Sequence, residues 1–438
     1  MTGIPSTPDV KVSPSKESDS HTRHRIAWRL LPFLFALYVA SYVDRTSVAF
    51  AALGMNHDLG FSDQVFGLGT GVFFISYLAL QIPGALLVER WSARRMISAT
   101  LIAWGSLTAL TGLIRSPGQL YAARFALGAA EACFFPGVIV YLSHWFIQED
   151  RAKATSNFMG AIPLSVVVAS PIAGWILGHA WFGFAGWRWL FVLEGVPAVL
   201  LGGVAFYFLT DRPSEAAWLR PEQGEWIENK LREERSVSAQ TTRVWQALRS
   251  PAILILAVVA FLNYFTGYTL LFWFPTLLKR MSGLSDFNLG LIGVVPYIAA
   301  FVAYQVNGWH SDRSRERRIH SAVPMFVGAA GLVGLLSQPS SVTLAVGFFT
   351  LSAVGSCYLP TFWAIPTEIL SGSAAAAGVG MINTIGSIAG FAGPFLFGYL
   401  ETRTGSSSAG LAVMLAGVVI GGVLTVLLPG TRRGATSV

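Results

Sequence analysis

The chain has 438 residues, of which 53% are hydrophobic and only 12% charged, with a net charge of +7. Soluble domains carry about 25% charged residues, so a water-soluble globule is excluded and a polytopic helical membrane protein is expected. Two cysteines, Cys133 and Cys357, both fall in apolar runs; they exclude a disulfide framework and offer no metal-ligand spacing.

Residues 1–25 are rich in Ser, Pro and charge and are expected to form a disordered tail. They are too polar for a signal peptide, and no cleavage region follows. The N-terminal half, residues 26–210, then holds six apolar spans: Ala27–Leu53, Asp63–Val88, Met96–Ile114, Gln119–Phe146, Ala154–Leu177 and Trp187–Leu209. Each is near the length of about 20 residues that crosses hydrocarbon. Asp44 and Arg45 interrupt the first span, and Arg124 and Glu131 the fourth. A charge at the bilayer centre costs about 3 kcal/mol even on lenient scales, so these four are expected to face a polar interior. Residues 211–250 form a polar linker whose segment EQGEWIENKLREER favours an amphipathic helix. Residues 251–430 hold six more spans, Ile253–Leu278, Leu289–Trp309, Ala322–Leu336, Thr343–Ile365, Ala375–Tyr399 and Gly410–Leu428, and residues 431–438 form a second tail.

The basic residues alternate between the two sides. Arg23, Arg25, Arg29, Arg90, Arg94, Arg95, Arg151, Lys153, Arg313, Arg315, Arg317, Arg318, Arg432 and Arg433 share one side. The opposite loops hold only Arg115, Arg188, Lys279, Arg280 and Arg403. The positive-inside bias places both termini in the cytoplasm of a cell (plasma or inner) membrane. Basicity of this kind orients the chain and meets anionic lipid; it gives no reason to expect nucleic acid.

An internal repeat divides the chain. Glu89-Arg90 with Arg94 follows the second span, and Asp312-Arg313 with Arg317 follows the eighth, an offset of 312 − 89 = 223. The same offset relates Pro171 to Pro394, since 394 − 171 = 223. Two six-span halves in parallel, related by an axis along the membrane normal, account for both.

That architecture, with Gly308-x-x-x-Asp312-Arg313-x-x-x-Arg317 between the second and third spans of the second half, resembles the major facilitator superfamily. The resemblance implies an all-α fold of twelve transmembrane helices in two pseudo-symmetric halves, without a cofactor. It also implies a cytoplasmic conformational latch at Gly308, Asp312, Arg313 and Arg317, where the small residue permits close approach of neighbouring helix ends. The first-half copy, Glu89, Arg90 and Arg94, departs from the pattern. Ala85 and Ser92 stand where Gly is usual and Glu89 where Asp is usual, so a weaker or differently packed latch is expected. Four segments narrow the resemblance to the anion:cation symporter family: 38–45, 124–136, 186–195 and 310–320. Members of that family are similar to proton-coupled importers of tartrate, phthalate, hydroxyphenylacetate and sugar acids. Some relatives handle phosphate or glutamate.

The residues also speak for themselves. Arg124 and Glu131 are seven apart, so they share a helix face at a separation of roughly 10 Å. Tyr38, Tyr42 and Arg45 form a similar stripe with Asp44 at its edge, and Tyr77 and Gln81 on the second span are four apart. Arg45 is the candidate ligand of a substrate carboxylate, because a guanidinium stays charged and grips a carboxylate with two parallel hydrogen bonds. Glu131 and Asp44 are candidate proton-coupling sites, with Arg124 as the cation that keeps one of them ionised.

The repeat offset maps Asp44, Arg45, Arg124 and Glu131 onto Gly267, Tyr268, Gly347 and Val354. The second half has shed the charges. Its cavity candidates are Asn263, Tyr264, Tyr268, Trp363 and Asn383, the last two supported by the resemblance. A division of labour follows, with charge in one half and hydrogen bonds and rings in the other. The fifth-span stretch Ala161-Ile-Pro-Leu-Ser165 lacks an amide that some sugar-acid carriers of the family have, which favours a smaller or aromatic acid. The expected activity is import of a small organic anion with protons, rather than sodium, by a monomer rocking between two open states. A proton-coupled antiporter or exporter of the same fold and a non-transporting nutrient sensor are the alternatives. An enzyme is not expected, because no Ser/His nucleophile arrangement or His-rich motif lies within the spans.

Overall fold

A computed structural model describes residues 16–147, 150, 154, 157–158, 161–237, 249–339, 341–369 and 372–428. The first half is built from α1 (Lys16–Leu59), α2 (Asp63–Arg90), α3 (Ala93–Thr111), α4 (Pro117–Glu131), α5 (Phe134–Trp145), α6 (Ala161–Leu177) and α7 (Gly186–Phe208). The linker contributes α8 (Pro221–Val237). The second half holds α9 (Pro251–Ser282), α10 (Asp286–Ile292), α11 (Val294–Ser314), α12 (Arg318–Leu336), α13 (Val342–Val354), α14 (Leu359–Ile369), α15 (Gly372–Thr404) and α16 (Ser408–Leu427).

Three crossings are broken, and each break has a proline behind it. A helical proline has no N–H for the carbonyl four residues earlier, and its ring clashes with that carbonyl. Pro136 lies four residues past Ala132, where α4 gives way to α5. Pro296 likewise follows Ile292, where α10 ends. Pro360 follows the 3-10 turn Gly355–Tyr358 between α13 and α14. Counted across these breaks, the described residues form twelve apolar crossings, and ten of them are long and apolar enough to span a bilayer. The two that fall short are α6, with 17 residues, and α3, which opens on Arg94 and Arg95 and buries Ser98, Thr100, Thr108 and Thr111. The hydroxyls of α3 are hidden rather than turned to lipid. Ser98 donates to the Gly202 carbonyl of α7 at 2.5 Å, and Gly105 and Gly195 let the two backbones approach so closely that a Cβ at Gly105 would sit 2.7 Å from the Gly195 oxygen.

The two halves meet at one end of the bundle through equivalent helices. Gly67 of α2 packs on Pro394 and Gly398 of α15, while Gly290 of α10 packs on Ser170 and Gly174 of α6. Since 290 − 67 = 223, the interface obeys the sequence repeat. A Cβ at Gly67 would lie 2.6 Å from the Pro394 oxygen, so both contacts depend on glycine.

One expectation for the tail is corrected. The helix α1 begins at Lys16, so residues 16–25 are helical rather than disordered. No Pro or Gly follows Pro14 until Pro32, and Arg23 anchors the segment with two 2.6 Å hydrogen bonds to Asp150. Residues 1–15 and 431–438 lie outside the described residues, as do 238–248 of the linker. The start of the linker packs on the first half, where Trp218 stacks on Trp145 with centroids 5.4 Å apart.

Candidate functional site

The centre of the first half is a buried ion pair. Arg45 of α1 donates through Nη2 to Glu131 Oε1 at 2.5 Å. Ser41, one turn before Arg45, donates to the same oxygen at 2.8 Å. Arg45 is 6% exposed and Glu131 2%. The guanidinium is roofed by aromatic faces, with its carbon 5.0 Å from the Tyr42 ring, 5.2 Å from Tyr77 and 5.4 Å from Phe73. Cation–π attraction of this kind, desolvated, is worth up to about 2 kcal/mol per ring. Tyr38 completes the stripe: it stacks on Phe158 at 4.1 Å and meets Tyr42 edge-on.

Behind this pair lies a second layer. Arg124 is 1% exposed, and its guanidinium carbon sits 4.8 Å from the centre of the Phe73 ring. Asp44 is 3% exposed, and the charges of Glu131, Arg124 and Arg45 all reach it. Arg124 thus shares Asp44 and Glu131 as electrostatic neighbours, while the direct bond to Glu131 belongs to Arg45. The layer includes an acid absent from the sequence-derived site. Glu194 of α7 bonds Ser47 of α1, one turn on from Asp44. Each of the three acids keeps one buried oxygen without a hydrogen-bond partner: Asp44 Oδ1, Glu131 Oε2 and Glu194 Oε1. So do Arg45 Nε and Arg124 Nε and Nη2.

The second half presents phenols to this cluster. Tyr268 lies within electrostatic reach of Arg45 and Tyr42 and packs on Phe74 of α2 at 4.8 Å. Tyr264 meets Tyr268 edge-on at 6.1 Å and neighbours Trp363 and Tyr304. Tyr358 joins the same group. Tyr304 and Tyr358 were not among the sequence candidates. Trp363, Asn383 and Gln81 are half-buried, and Asn383 and Gln81 stand on α15 and α2 apart from the bonded cluster. Asn263 is a correction: it donates to the Val259 carbonyl at 2.9 Å and its amide abuts Gly421 of α16, away from the tyrosines.

A buried guanidinium–carboxylate pair facing a half-buried aromatic wall can exchange partners with an anion. Comparison with known proteins points the same way. Residues 34–394 match the family model described as the Major Facilitator Superfamily. The chain belongs to that superfamily. It is a multi-pass membrane transporter, not an enzyme. It is 38% identical over 418 residues, 94% of this chain and 96% of the other, to a protein named a putative tartrate transporter from Agrobacterium vitis. It is 35% identical, over 92% of this chain and 94% of the other, to a quinolone resistance transporter from Acinetobacter baumannii. Its fold superposes with a TM-score of 0.74 on a bacterial homologue of the human lysosomal transporter Spinster, at 20% identity, covering 94% and 96% of the two chains.

The latch candidates behave unevenly. Arg94 places its backbone N–H on Asp211 Oδ1 at 2.9 Å and its Nε 4.0 Å from Oδ2. Ser92 caps α3 by accepting from Arg95 N and donates to Asp211 at 2.6 Å. The side chains of Glu89, Arg90 and Asp312 lie outside the described residues. Arg317 donates to Ser311 at 3.0 Å, and Arg313 is exposed over Trp309. Gly308 has open space where a side chain would go, so no close approach demands glycine there.

The opposite end carries an ion cluster between the halves that no sequence motif signals. Arg280 at the end of α9 donates to Asp63 of α2 at 2.7 Å and to Glu401 of α15 at 2.8 Å. Gln64 N donates to Thr402 at 3.0 Å beside it. Among the described residues, these bonds to Asp63 and from Gln64 are the hydrogen-bonded links between the halves. A vestibule of about 550 Å³, lined by Asn56, His57, Lys279 and Arg280 among others, lies beside them.

Proposed function

We propose that this transporter imports a small organic anion, a carboxylate, across the cell membrane with protons. The observation that carries the reading is the Arg45–Glu131 bond. A buried guanidinium left without an anion costs about 3–5 kcal/mol, so Arg45 always holds one. In the proposed cycle that anion is either Glu131 or the substrate. A proton arriving on Glu131 abolishes its charge and frees Arg45 for a substrate carboxylate. Loss of the proton returns Arg45 to Glu131 and expels the substrate. Proton and anion therefore move together without any separate coupling device. Asp44 and Arg124 set the charge balance behind the pair, and the phenols of Tyr264, Tyr268, Tyr304 and Tyr358 offer donors and acceptors to the substrate body.

Under the positive-inside assignment, both termini are cytoplasmic and the gated end at Asp63, Arg280 and Glu401 faces outward. The halves then rock about the Arg45 site, opening one end as the other closes. The relatives' names make tartrate the first acid to try. The quinolone-resistance relative and the aromatic wall favour, as the second reading, export of an aromatic acid by the same pair in exchange for protons.

The test is uptake and counterflow of labelled tartrate and a panel of organic acids in proteoliposomes. Arg45→Ala abolishes both for whichever acid is carried. Glu131→Gln retains counterflow and loses accumulation driven by a pH gradient. Accumulation at the unmodified protein's level in both variants would overturn the mechanism, and inward proton flow opposed to anion flow would favour export.

A further inference from the structure

Among the described residues, five acidic and basic side chains share the core of the first half: Asp44, Glu131 and Glu194 against Arg45 and Arg124. Three acids face two guanidinia, so full ionisation leaves one negative charge uncompensated. Arg45 bonds Glu131, and both guanidinia reach Asp44. Glu194 differs. Among the described residues its charged neighbour is Asp44, of like sign, and its hydrogen-bond partner is the Ser47 hydroxyl. Among the elements packed on α7, α6 carries no titratable residue, and those of α3 are Arg94 and Arg95 in its first turn. On α7 itself Arg188 is nearly two turns away and engages Asp58 and the Gly112 and Ile114 carbonyls.

The hydrogen count at Ser47 points to the missing proton. A serine hydroxyl has one hydrogen. Ser47 Oγ contacts the Val43 carbonyl at 2.7 Å as well as Glu194 Oε2. A carbonyl cannot donate, so if the hydroxyl hydrogen serves Val43, the contact with Glu194 closes only when Glu194 supplies the other hydrogen. Both contacts are then satisfied at once by a protonated Glu194. Glu194 Oε1 is buried without a partner, a position that suits a neutral carboxyl far better than an anion.

We infer that Glu194 is a third proton-binding site of this transporter, holding a proton that keeps the five-residue cluster neutral while the charges of Asp44 and Glu131 balance those of the two arginines. Binding forms one O–H bond and removes one negative charge; nothing else is transferred. The inference rests on the proposed coupling for its place in the cycle, but its test does not require substrate.

Infrared difference spectroscopy of the full-length protein in liposomes detects buried carboxylic acids by their C=O stretch. At neutral pH the unmodified protein shows such a band; Glu194→Gln loses it, Glu194→Asp moves it, and Ser47→Ala, which keeps the acid but removes its partner, shifts it. The Ser47→Ala shift decides the matter if Glu194→Gln fails to fold. A band that persists in Glu194→Gln, is unmoved by Ser47→Ala, or vanishes in Asp44→Asn instead would overturn the inference. Transport retained by Arg45→Ala would sink the coupling mechanism and leave these spectra unaffected, so the two failures are separable.

Discussion

Replacing Arg280 by glutamine should open the outer end of the bundle. Arg280 holds Asp63 of the other half at 2.7 Å and is itself steadied by Glu401 at 2.8 Å. Its side chain is 43% exposed, so water screens both bonds, and an exposed ion pair is worth about 0.2–1 kcal/mol. Of these two bonds of Arg280, the one to Asp63 crosses between the halves. Its loss, together with the loosened positioning of the loop, removes about 1 kcal/mol from the closed state, which is about a five-fold change in the open-to-closed ratio. The readout is a cysteine at Asn56, which lines the vestibule beside Arg280, in a background where Cys133 and Cys357 are replaced. A membrane-impermeant maleimide applied from outside should label Arg280→Gln several times faster than the parent. Asp63→Asn should do the same, and the double variant should add little, because both remove one shared bond. High salt should bring the parent toward the variants, since the screening length falls to about 3 Å at 1 M. Equal labelling in parent and variants, or full additivity in the double variant, would refute the gate.

Other consequences follow from the same geometry. Gly67→Val and Gly290→Val each drive a side chain into the backbone of the other half, and overpacking of this kind costs about 1–3 kcal/mol. Both should raise outside labelling at Asn56→Cys to a similar degree, because the positions are repeat-related. Ser41→Ala removes one of two donors to Glu131 and should weaken tartrate counterflow less than Arg45→Ala does. Glu316 lies in the loop before α12. Partial burial pulls its carboxyl upward, but the N–H groups of Ile319 and His320 and the His320 ring outweigh it and hold the carboxyl below its ordinary value of 4.5. Its contribution to stability is therefore complete above pH 4.5 and fades as pH falls through the lowered value. Thermal unfolding in detergent should show that acid slope in the parent and a shallower one in Glu316→Gln.

The architecture was readable from the sequence because lipid imposes a length on each apolar run and the repeat imposes an offset of 223 on paired landmarks. The breaks at Ala132, Ile292 and the Gly355 turn were also readable in principle, since each stands at or beside the carbonyl that Pro136, Pro296 or Pro360 leaves without a partner. Arg45 and Tyr42 share one face of α1 as their spacing of three requires, and Tyr77 meets them from α2. Glu194 lies in the 186–195 segment that carries the resemblance and shares the sixth span with Arg188; the rule that an acid inside an apolar run needs a reason applies equally to it. Asn263 was assigned to the cavity although it stands about 100° around the helix from Tyr264, enough to turn it toward α16. The direct bond between Arg45 and Glu131, rather than Arg124 and Glu131, depends on side-chain reach across two helices. The Arg280–Asp63 bond joins residues 217 apart, and no local pattern signals how the two halves close on each other.

Coupled accumulation in proteoliposomes tests the Arg45–Glu131 exchange most directly. Purified protein is supplied with labelled organic acids, tartrate among them, with an inward proton gradient, an inward sodium gradient or neither. An acid should accumulate above its outside concentration only with the proton gradient, and Glu131→Gln should equilibrate the same acid without accumulating it. Accumulation that persists without a proton gradient, or in Glu131→Gln, would contradict the exchange of Glu131 for substrate at Arg45.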